Sequence, residues 1–482
     1  MRWSLKVIGL ANTLILVRLL TPEDFGLVAM AMIVVAFVNA INDMGLDMAL
    51  IRKRDIYDSY YDTAWTISVA FGIINSAIIV FAAPYVASFY SNDRLAPVMY
   101  TMALLPFINS LMNPKLADYR REFLFSKEFT FHLISRIIAL PLSIAFAVYL
   151  RNHWALVAGM LAQASVALLL GYAMRPYRPR FSLSEFRELF SFSIWIQVRT
   201  LGITLSQRLD QLVVGKISGE KELGGYQVSQ DISTMATMEV VLPLSRALLP
   251  GYATIQGDID RLSVAFFKVY SAHVILAMAI SGGLVAIAKD LIPVVLGAQW
   301  VEFREVFQLL VIAGGMSAIS SASGPVLVAL GRVRIAALSS WIRTGFMAIG
   351  LSVVVIFSGG LVEIAFVRVL VSFAMLPVLL SITVIALKTR ADPAIGAFFR
   401  PSVATTIMAA TIIVIQSTID FDSWIRLMIE IAVGAVVFAV TLLGLWRIAG
   451  QPEGIEHEVV SRVLGQVRRM KKRLTSNFKT IA

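Results

Sequence analysis

The chain is a succession of apolar runs, each about twenty residues long, separated by short polar segments. A helical run of this length crosses the hydrocarbon core of a bilayer. The clearest example lies at residues 17–51, where Pro22, Glu23 and Asp24 separate two apolar runs. Proline is tolerated in the first turn of a helix, and acids suit the positive helix N-terminus. This segment therefore predicts a membrane hairpin that ends at the basic run 52–54.

The same pattern predicts fourteen transmembrane helices along the chain. They lie near residues 3–20, 25–51, 63–83, 95–113, 130–150, 153–174, 189–214, 224–250, 264–288, 303–330, 335–357, 361–387, 401–417 and 424–446. The first run lacks a small-residue cleavage site after it, so we interpret it as a retained helix rather than a signal peptide. The longest segment between two helices has about 15 residues, too few for a folded domain. Function is therefore expected among the helices.

Composition assigns the chain to the polytopic helical membrane proteins. Of its 482 residues, 58% are hydrophobic and only 15% are charged, whereas about a quarter of a soluble domain is charged. Cysteine is absent, which excludes disulfides, thiolate metal sites and cysteine nucleophiles. His132 and His273 stand alone, without a second ligand at metal-binding spacing. We expect no metal, no cofactor and no catalytic residue, and hence a protein that is not an enzyme.

The net charge of +11 would suggest a nucleic-acid partner in a soluble protein. Here most lysines and arginines lie in the segments that follow even-numbered helices, as in the run 52–54. Cytoplasmic loops carry such an excess, so membrane topology explains the charge and places both termini in the cytoplasm. Residues 455–482 predict a basic amphipathic helix on the anionic inner leaflet, with a solvated tail as the alternative.

An internal repeat is visible at a constant offset of 198 residues. The matched positions are Arg18 with Lys216, Asp24 with Glu222, Gly26 with Gly224, and residues 49–51 with 247–249. Six helices separate the copies, so both have the same orientation in the membrane, as in parallel transporter repeats. The predicted organisation is an N-lobe of six helices at 1–174, a C-lobe of six at 175–390, two further helices at 391–447, and a basic cytoplasmic tail at 448–482.

Several stretches resemble bacterial polysaccharide flippases, a branch of the multidrug/oligosaccharidyl-lipid/polysaccharide exporter superfamily. LLTPEDFGLVAMA followed by NDMGLDMALI is similar to the first hairpin of that family. RLDQLVVGKISGEKELGGYQVSQ resembles its D-x-L-x-x-G-x-x-x-G-x-x-x-L-G-x-Y segment, and RALLPGYA, LGAQW and ALGRVR resemble further signatures. The resemblance extends to about residue 390. The chain has Leu249-Pro250 where the family often has Phe-Pro.

This resemblance implies a function and a location. Such a protein would carry undecaprenyl-pyrophosphate-linked oligosaccharide repeat units across the bacterial inner membrane for exopolysaccharide, capsule or O-antigen synthesis. It would do so by alternating access, through a V-shaped cavity between two lobes. The implied partners are the lipid-linked oligosaccharide and, as a further candidate, a complex with a polysaccharide polymerase.

Polar side chains inside the predicted helices provide the candidate site. A charge at mid-bilayer costs roughly 2.5–3.5 kcal/mol, so it normally faces a partner or water. The excess is cationic, and arginine can grip phosphate oxygens with two parallel hydrogen bonds. The candidate substrate-binding residues are Arg136, Arg199, Arg208, Arg343, Arg368, Gln197 and Gln211. The candidate coupling or structural acids are Asp43, Asp47, Asp210 and Asp231.

The seventh predicted helix is polar on two sides. Gln197, Arg208 and Gln211 share one face, and Arg199 and Asp210 share the opposite face. Such a helix should lie between a cavity and the lobe interior.

We expect Arg208, Asp210 and Asp231 to form a charge cluster, with a purely structural ion pair between helices seven and eight as the alternative. Asp43 and Asp47 could carry a coupling proton or cation, or they could pair with Arg52 or cap neighbouring loops.

Two other functions stay open on the sequence alone. A drug:cation antiporter of the same superfamily would tend toward twelve helices and an acidic pocket, and this chain departs from both. A membrane polymerase or glycosyltransferase would need a long outer loop or a soluble domain with paired acids, and neither is present. A static scaffold of an assembly complex is a further alternative.

Overall fold

A computed structural model describes residues 2–42, 46, 50–51, 56–187, 194–255, 257–418 and 421–451. Within these residues the regular structure is helical, and the sequence prediction of an all-α membrane protein is confirmed. The α-helices are α1 Arg2–Leu19, α2 Pro22–Asn42, α3 Asp58–Tyr90, α4 Leu95–Met102, α5 Leu104–Ser110, α6 Asp118–Arg121, α7 Phe125–Leu150, α8 His153–Met174, α9 Ile194–Ile217, α10 Glu220–Ile255, α11 Ile259–Leu291, α12 Arg304–Ser320, α13 Ser323–Ala329, α14 Val333–Ile356, α15 Leu361–Ala386, α16 Asp392–Thr418 and α17 Ser423–Ile448.

Ten described helical segments are long and apolar enough to cross a membrane. An eleventh results if the bent pair 95–110 and 114–121, which turns by 63°, is one span. Helices α1, α9 and α10 are not among these segments. The total of fourteen spans therefore stays a prediction. The basic run 52–54 and the tail from residue 452 lie outside the described residues.

The chain divides into two compact units. The first unit contains Met1–Ser229, Val295–Val306 and Ala337–Val367. Helix α2 is its most deeply buried element: Leu27, Met30 and Ile33 are almost completely shielded. Helices α3, α4, α8 and α9 pack around it. A helix shielded on most sides must be apolar all round, which explains why α2 shows little amphipathic pattern.

The first unit also contains the LGAQW stretch, which covers the end of α1. The last carbonyls of a helix have no partner within the helix and need donors from elsewhere. Gln299 Nε2 donates to the carbonyls of Val17 and Leu20, each at 2.9 Å, and Trp300 Nε1 donates to Val17 at 3.0 Å. The buried Trp300 ring packs edge-on against Phe25, with ring centroids 5.7 Å apart. This stretch therefore fixes the turn between α1 and α2.

The second unit contains Gln230–Val294, Phe307–Ala336 and Arg368–Ala482. Its core follows a stripe on α11, where Leu262, Phe266, Tyr270 and Val274 recur at four-residue spacing and are buried. This spacing places them on one helix face, which packs against residues of α12 and α15. The C-terminal helices α16 and α17 pack against each other and against α11.

Small residues on α12 allow close packing in the second unit. A methyl group at Gly314 would lie 2.8 Å from the hydroxyls of Ser233 and Thr237 on α10. One at Gly315 would lie 2.7 Å from the hydroxyl of Ser281 on α11. Glycine therefore serves helix packing here, as small residues do in membrane interfaces generally. The helical run is interrupted after Ser320 and resumes at Ser323.

The positions matched by the 198-residue offset meet in space. A methyl group at Gly26 would lie 1.6 Å from the carbonyl oxygen of Glu220, and one at Gly224 would lie 1.8 Å from that of Pro22. Pro22 and Glu220 are themselves 198 residues apart, so the contact is symmetric: each glycine covers the carbonyl at the matched position of the other helix. Helices α2 and α10 therefore cross backbone to backbone at their N-terminal ends.

We expect Gly26→Ala and Gly224→Ala to destabilise the first unit. Neither carbonyl can move without displacing a helix, and overpacking of this kind costs about 1–3 kcal/mol or more. Thermal unfolding of the purified protein in detergent measures the effect. Gly396→Ala on α16, which has open space around it, is the matched control and should be neutral or slightly stabilising. Equal midpoints for all three variants would contradict the close crossing.

Candidate functional site

Helix α9 carries the largest group of candidate residues, and the structure places their side chains at different depths. Asp210 and Gln211 are fully buried, while Arg208 is half-buried. The side chains of Gln197 and Arg199, on the same helix, lie outside the described part of the structure. The buried polar positions show that the inward side of α9 is not purely apolar.

Asp210 connects α9 to α10. Its Oδ2 accepts a hydrogen bond from the Tyr226 hydroxyl at 2.6 Å, and its Oδ1 accepts one from the Gln211 backbone N–H at 2.9 Å. Both Asp210 and Tyr226 are shielded from solvent. A buried carboxylate needs such donors, since leaving it without them is costly. Asp210 therefore stabilises the packing of the two helices.

The same contact gives a physical account of the D-x-L-x-x-G-x-x-x-G-x-x-x-L-G-x-Y segment. Its first residue, Asp210, and its last, Tyr226, are the hydrogen-bonded pair. Gly219 in the connecting turn has φ +94°, a left-handed conformation that favours glycine. Leu223 is completely buried, and Gly224 forms the crossing with α2. The motif thus specifies the hairpin between α9 and α10.

Arg208 is oriented by its neighbour one turn along α9. Its Nη1 donates to Gln211 Oε1 at 2.7 Å. A guanidinium has five N–H donors, so this bond positions the group while donors are left over for a ligand. Among the described residues, Arg208 donates to Gln211. The two carboxyl oxygens of Asp210 accept from the Gln211 backbone N–H and the Tyr226 hydroxyl. The arrangement could hold an anionic oxygen against one face of α9.

Arg343 lies on α14, which contacts α9 at Gly202. The hydroxyl of Thr344 donates to the Gly202 carbonyl at 3.4 Å. The Trp341 ring closes on Gly202, where a methyl group would lie 3.0 Å from the indole. Arg343 is half-buried and lies between these two contact residues in sequence. The structure therefore brings the helices that carry Arg208 and Arg343 together in the first unit.

The other candidates lie elsewhere. Arg136 on α7 donates from Nη1 to the Leu5 carbonyl of α1 at 2.5 Å, which gives it a packing role. Arg368 on α15 is half-buried and Asp231 on α10 is exposed, and both belong to the second unit. Asp43 and Asp47 lie outside the described residues. Whether these side chains contact substrate stays a prediction.

One polar network was absent from the sequence predictions. Glu220, at the start of α10, accepts from Asn92 Nδ2 at 2.6 Å and pairs with Arg94 at 3.1 Å. Nδ1 of His153 lies 3.7 Å from an oxygen of Asp24 and 3.4 Å from Nη2 of Arg94. The network joins four turns that meet around the Gly26–Gly224 crossing. These residues come from distant parts of the chain, so no local spacing could indicate it.

Comparison with known proteins gives concordant results. Residues 15–305 match the family described as polysaccharide biosynthesis protein. The chain is 27% identical to the lipopolysaccharide biosynthesis protein WzxC of Escherichia coli (strain K12), over 68% of each chain. It is 24% identical to the succinoglycan biosynthesis transport protein ExoT of Rhizobium meliloti (strain 1021), over 89% of this chain and 88% of that protein.

Solved structures show the same fold at low identity. The lipid II flippase MurJ in an inward closed conformation gives a TM-score of 0.71 at 10% identity, over 93% of this chain and 98% of that one. An inward-facing multidrug resistance transporter of the MOP superfamily gives 0.61 at 13% identity, over 80% and 96% of the two chains. The family match covers more than half of the sequence and agrees with the motifs described above, so this chain belongs to the polysaccharide biosynthesis protein family.

Proposed function

We propose that this protein is a flippase for undecaprenyl-pyrophosphate-linked oligosaccharide repeat units. It would move them across the bacterial inner membrane, with both termini in the cytoplasm, for synthesis of an exopolysaccharide, a capsule or an O-antigen. The observation that carries the proposal is the similarity to a succinoglycan transport protein along nine tenths of the chain. The fold of the lipid II flippase, whose substrate is named as a lipid, supports the same substrate class.

Arg208 is the residue best placed to bind the pyrophosphate. Its guanidinium is held by Gln211 and has donors in reserve. Arg343 is the second candidate, on the helix that contacts α9 at Gly202. Two arginines can neutralise a pyrophosphate and hold it through paired hydrogen bonds. Arg136, Arg199 and Arg368 are further contacts in this proposal, while Asp210 holds α9 in position through Tyr226.

Transport would proceed by alternating access between the lobes 1–174 and 175–390, with α1, α9 and α10 completing fourteen spans. The crossing at Gly26 and Gly224, with the ion pair of Arg94 and Glu220 beside it, supports a state that is closed at the predicted outer side. Opening to that side requires α2 and α10 to separate. No covalent step is involved, since the substrate is moved and not modified.

Deletion of the gene tests the proposed function in the cell. We expect loss of one extracellular polysaccharide and accumulation of its undecaprenyl-linked repeat unit on the cytoplasmic leaflet. Mass spectrometry of extracted lipids, with a sugar-binding probe added to intact and permeabilised spheroplasts, measures both. Complementation with the wild-type gene is the control. Normal polymer without lipid-linked intermediate would contradict the proposal, and altered drug sensitivity alone would favour an antiporter.

Arg208→Ala and Arg343→Ala test the site. A hydrogen bond to a charged group contributes about 1.5–3 kcal/mol, so export should fall about tenfold or more at equal protein level. Arg208→Lys should recover only part of it, because lysine keeps the charge but not the planar fork. Arg390→Ala is the matched control, since Arg390 is exposed and pairs with Asp392 at the start of α16. Full export by both alanine variants would remove these arginines from the site.

A further inference from the structure

A second polar cluster lies in the second unit, where α17 packs against α11 and α16. It contains Asp290 near the end of α11, with Arg426 and Glu430 one turn apart on α17. Asp290 and Glu430 are 3% and 0% exposed. The transport site proposed above does not use this cluster.

Arg426 is matched to Asp290. Its Nε donates to Oδ2 at 2.8 Å and its Nη2 donates to Oδ1 at 2.5 Å, which is a two-pronged ion pair. Both oxygens of the Asp290 carboxylate therefore receive a donor from this one guanidinium. The carboxylate of Asp290 alone therefore balances the positive charge of Arg426.

Glu430 has no comparable partner. Neither of its carboxyl oxygens receives a hydrogen bond in the structure. The groups that face it are the Asp290 carboxyl from α11, the Gln416 amide from α16, and Arg426 on its own helix. Gln416 donates its Nε2 instead to the Ala286 carbonyl, at 3.1 Å. Lys289 lies near Asp290 and contributes a further positive charge at the end of α11.

Charge balance determines the protonation state of the cluster. Lys289 is exposed, so its charge is largely screened by solvent. Two carboxylates beside the one half-buried guanidinium would therefore leave a poorly compensated negative charge at a site that solvent does not reach. Burial disfavours the ionised form of such a group, and two adjacent carboxyls titrate as a pair in which one proton is retained. With Asp290 held by Arg426, the proton belongs on Glu430. A protonated carboxyl can donate to Asp290, which provides the missing hydrogen bond.

We propose that Glu430 is a proton-binding site, and that its bound proton, shared with Asp290, holds α17 against α11. Loss of the proton places a second negative charge beside Asp290, so the C-terminal helices α16 and α17 detach from α11 more readily. The site is distinct from the arginines of α9 and α14 and does not depend on which molecule the protein transports.

Infrared spectroscopy of the purified full-length protein tests the site directly. At neutral pH the wild type should show the carbonyl band of a buried protonated carboxyl, which shifts slowly in deuterated water. Glu430→Gln should remove this band. Asp290→Asn should remove it too, because Glu430 then becomes the carboxylate that balances Arg426. Asp392→Asn, an exposed acid on α16, is the matched control and should keep the band.

The pH dependence of stability is an independent measurement, made on the purified wild type and on Glu430→Gln. A folded state that retains a proton which the unfolded chain releases becomes less stable as pH rises above the ordinary carboxyl range. The unfolding constant of the wild type should therefore increase by up to about tenfold per pH unit above about pH 5, and this contribution should be absent in Glu430→Gln.

Three results would overturn the proposal. The first is a carboxyl band that persists in Glu430→Gln. The second is an equal stability slope in the wild type and that variant. The third is a stability at fixed pH that changes when sodium replaces potassium, because the cluster would then bind a metal cation in place of the proton.

Discussion

Two helices can cross with their backbones in contact only where neither carries a side chain, and Gly26 and Gly224 meet this condition for α2 and α10. The N-terminal ends of both helices are thereby held together. Around this crossing the turns between helices come within reach of one another, so that Glu220 pairs with Arg94 and His153 approaches Asp24. The polar network follows from the glycine contact, since larger residues at either position would hold the turns apart.

The crossing also determines how the buried charges of α9 are satisfied. Because the start of α10 is fixed by Gly224, Tyr226 lies two residues further on, within hydrogen-bonding distance of Asp210. With Asp210 occupied by this tyrosine, Arg208 turns to Gln211. Asp210, which stabilises helix packing, and Arg208, which has further N–H donors for a ligand, therefore lie two residues apart on α9. This separation of roles is what makes Arg208 suitable for an anionic ligand.

Much of this fold could be predicted from the sequence, and so could part of the site. The apolar runs indicated α8 and α15 to within a residue or so, and the 198-residue offset paired Gly26 with Gly224 before any contact was known. Patterns of this kind indicate which side of a helix faces lipid and which side packs closely. They do not identify the individual side-chain partners on other helices. The bond of Arg136 to Leu5 and the triad of Asp290, Arg426 and Glu430 therefore had no sequence signal. Only the folded chain brings these residues together.

The most direct test of the account is translocation by the purified protein in proteoliposomes. An undecaprenyl-pyrophosphate-linked oligosaccharide is placed in the membrane, and the fraction exposed on each leaflet is followed with an impermeant enzyme that modifies the sugar. We expect movement between leaflets that exceeds that of protein-free vesicles and is strongly reduced by Arg208→Ala. Movement equal to that of protein-free vesicles, with a folded wild-type protein present, would contradict it.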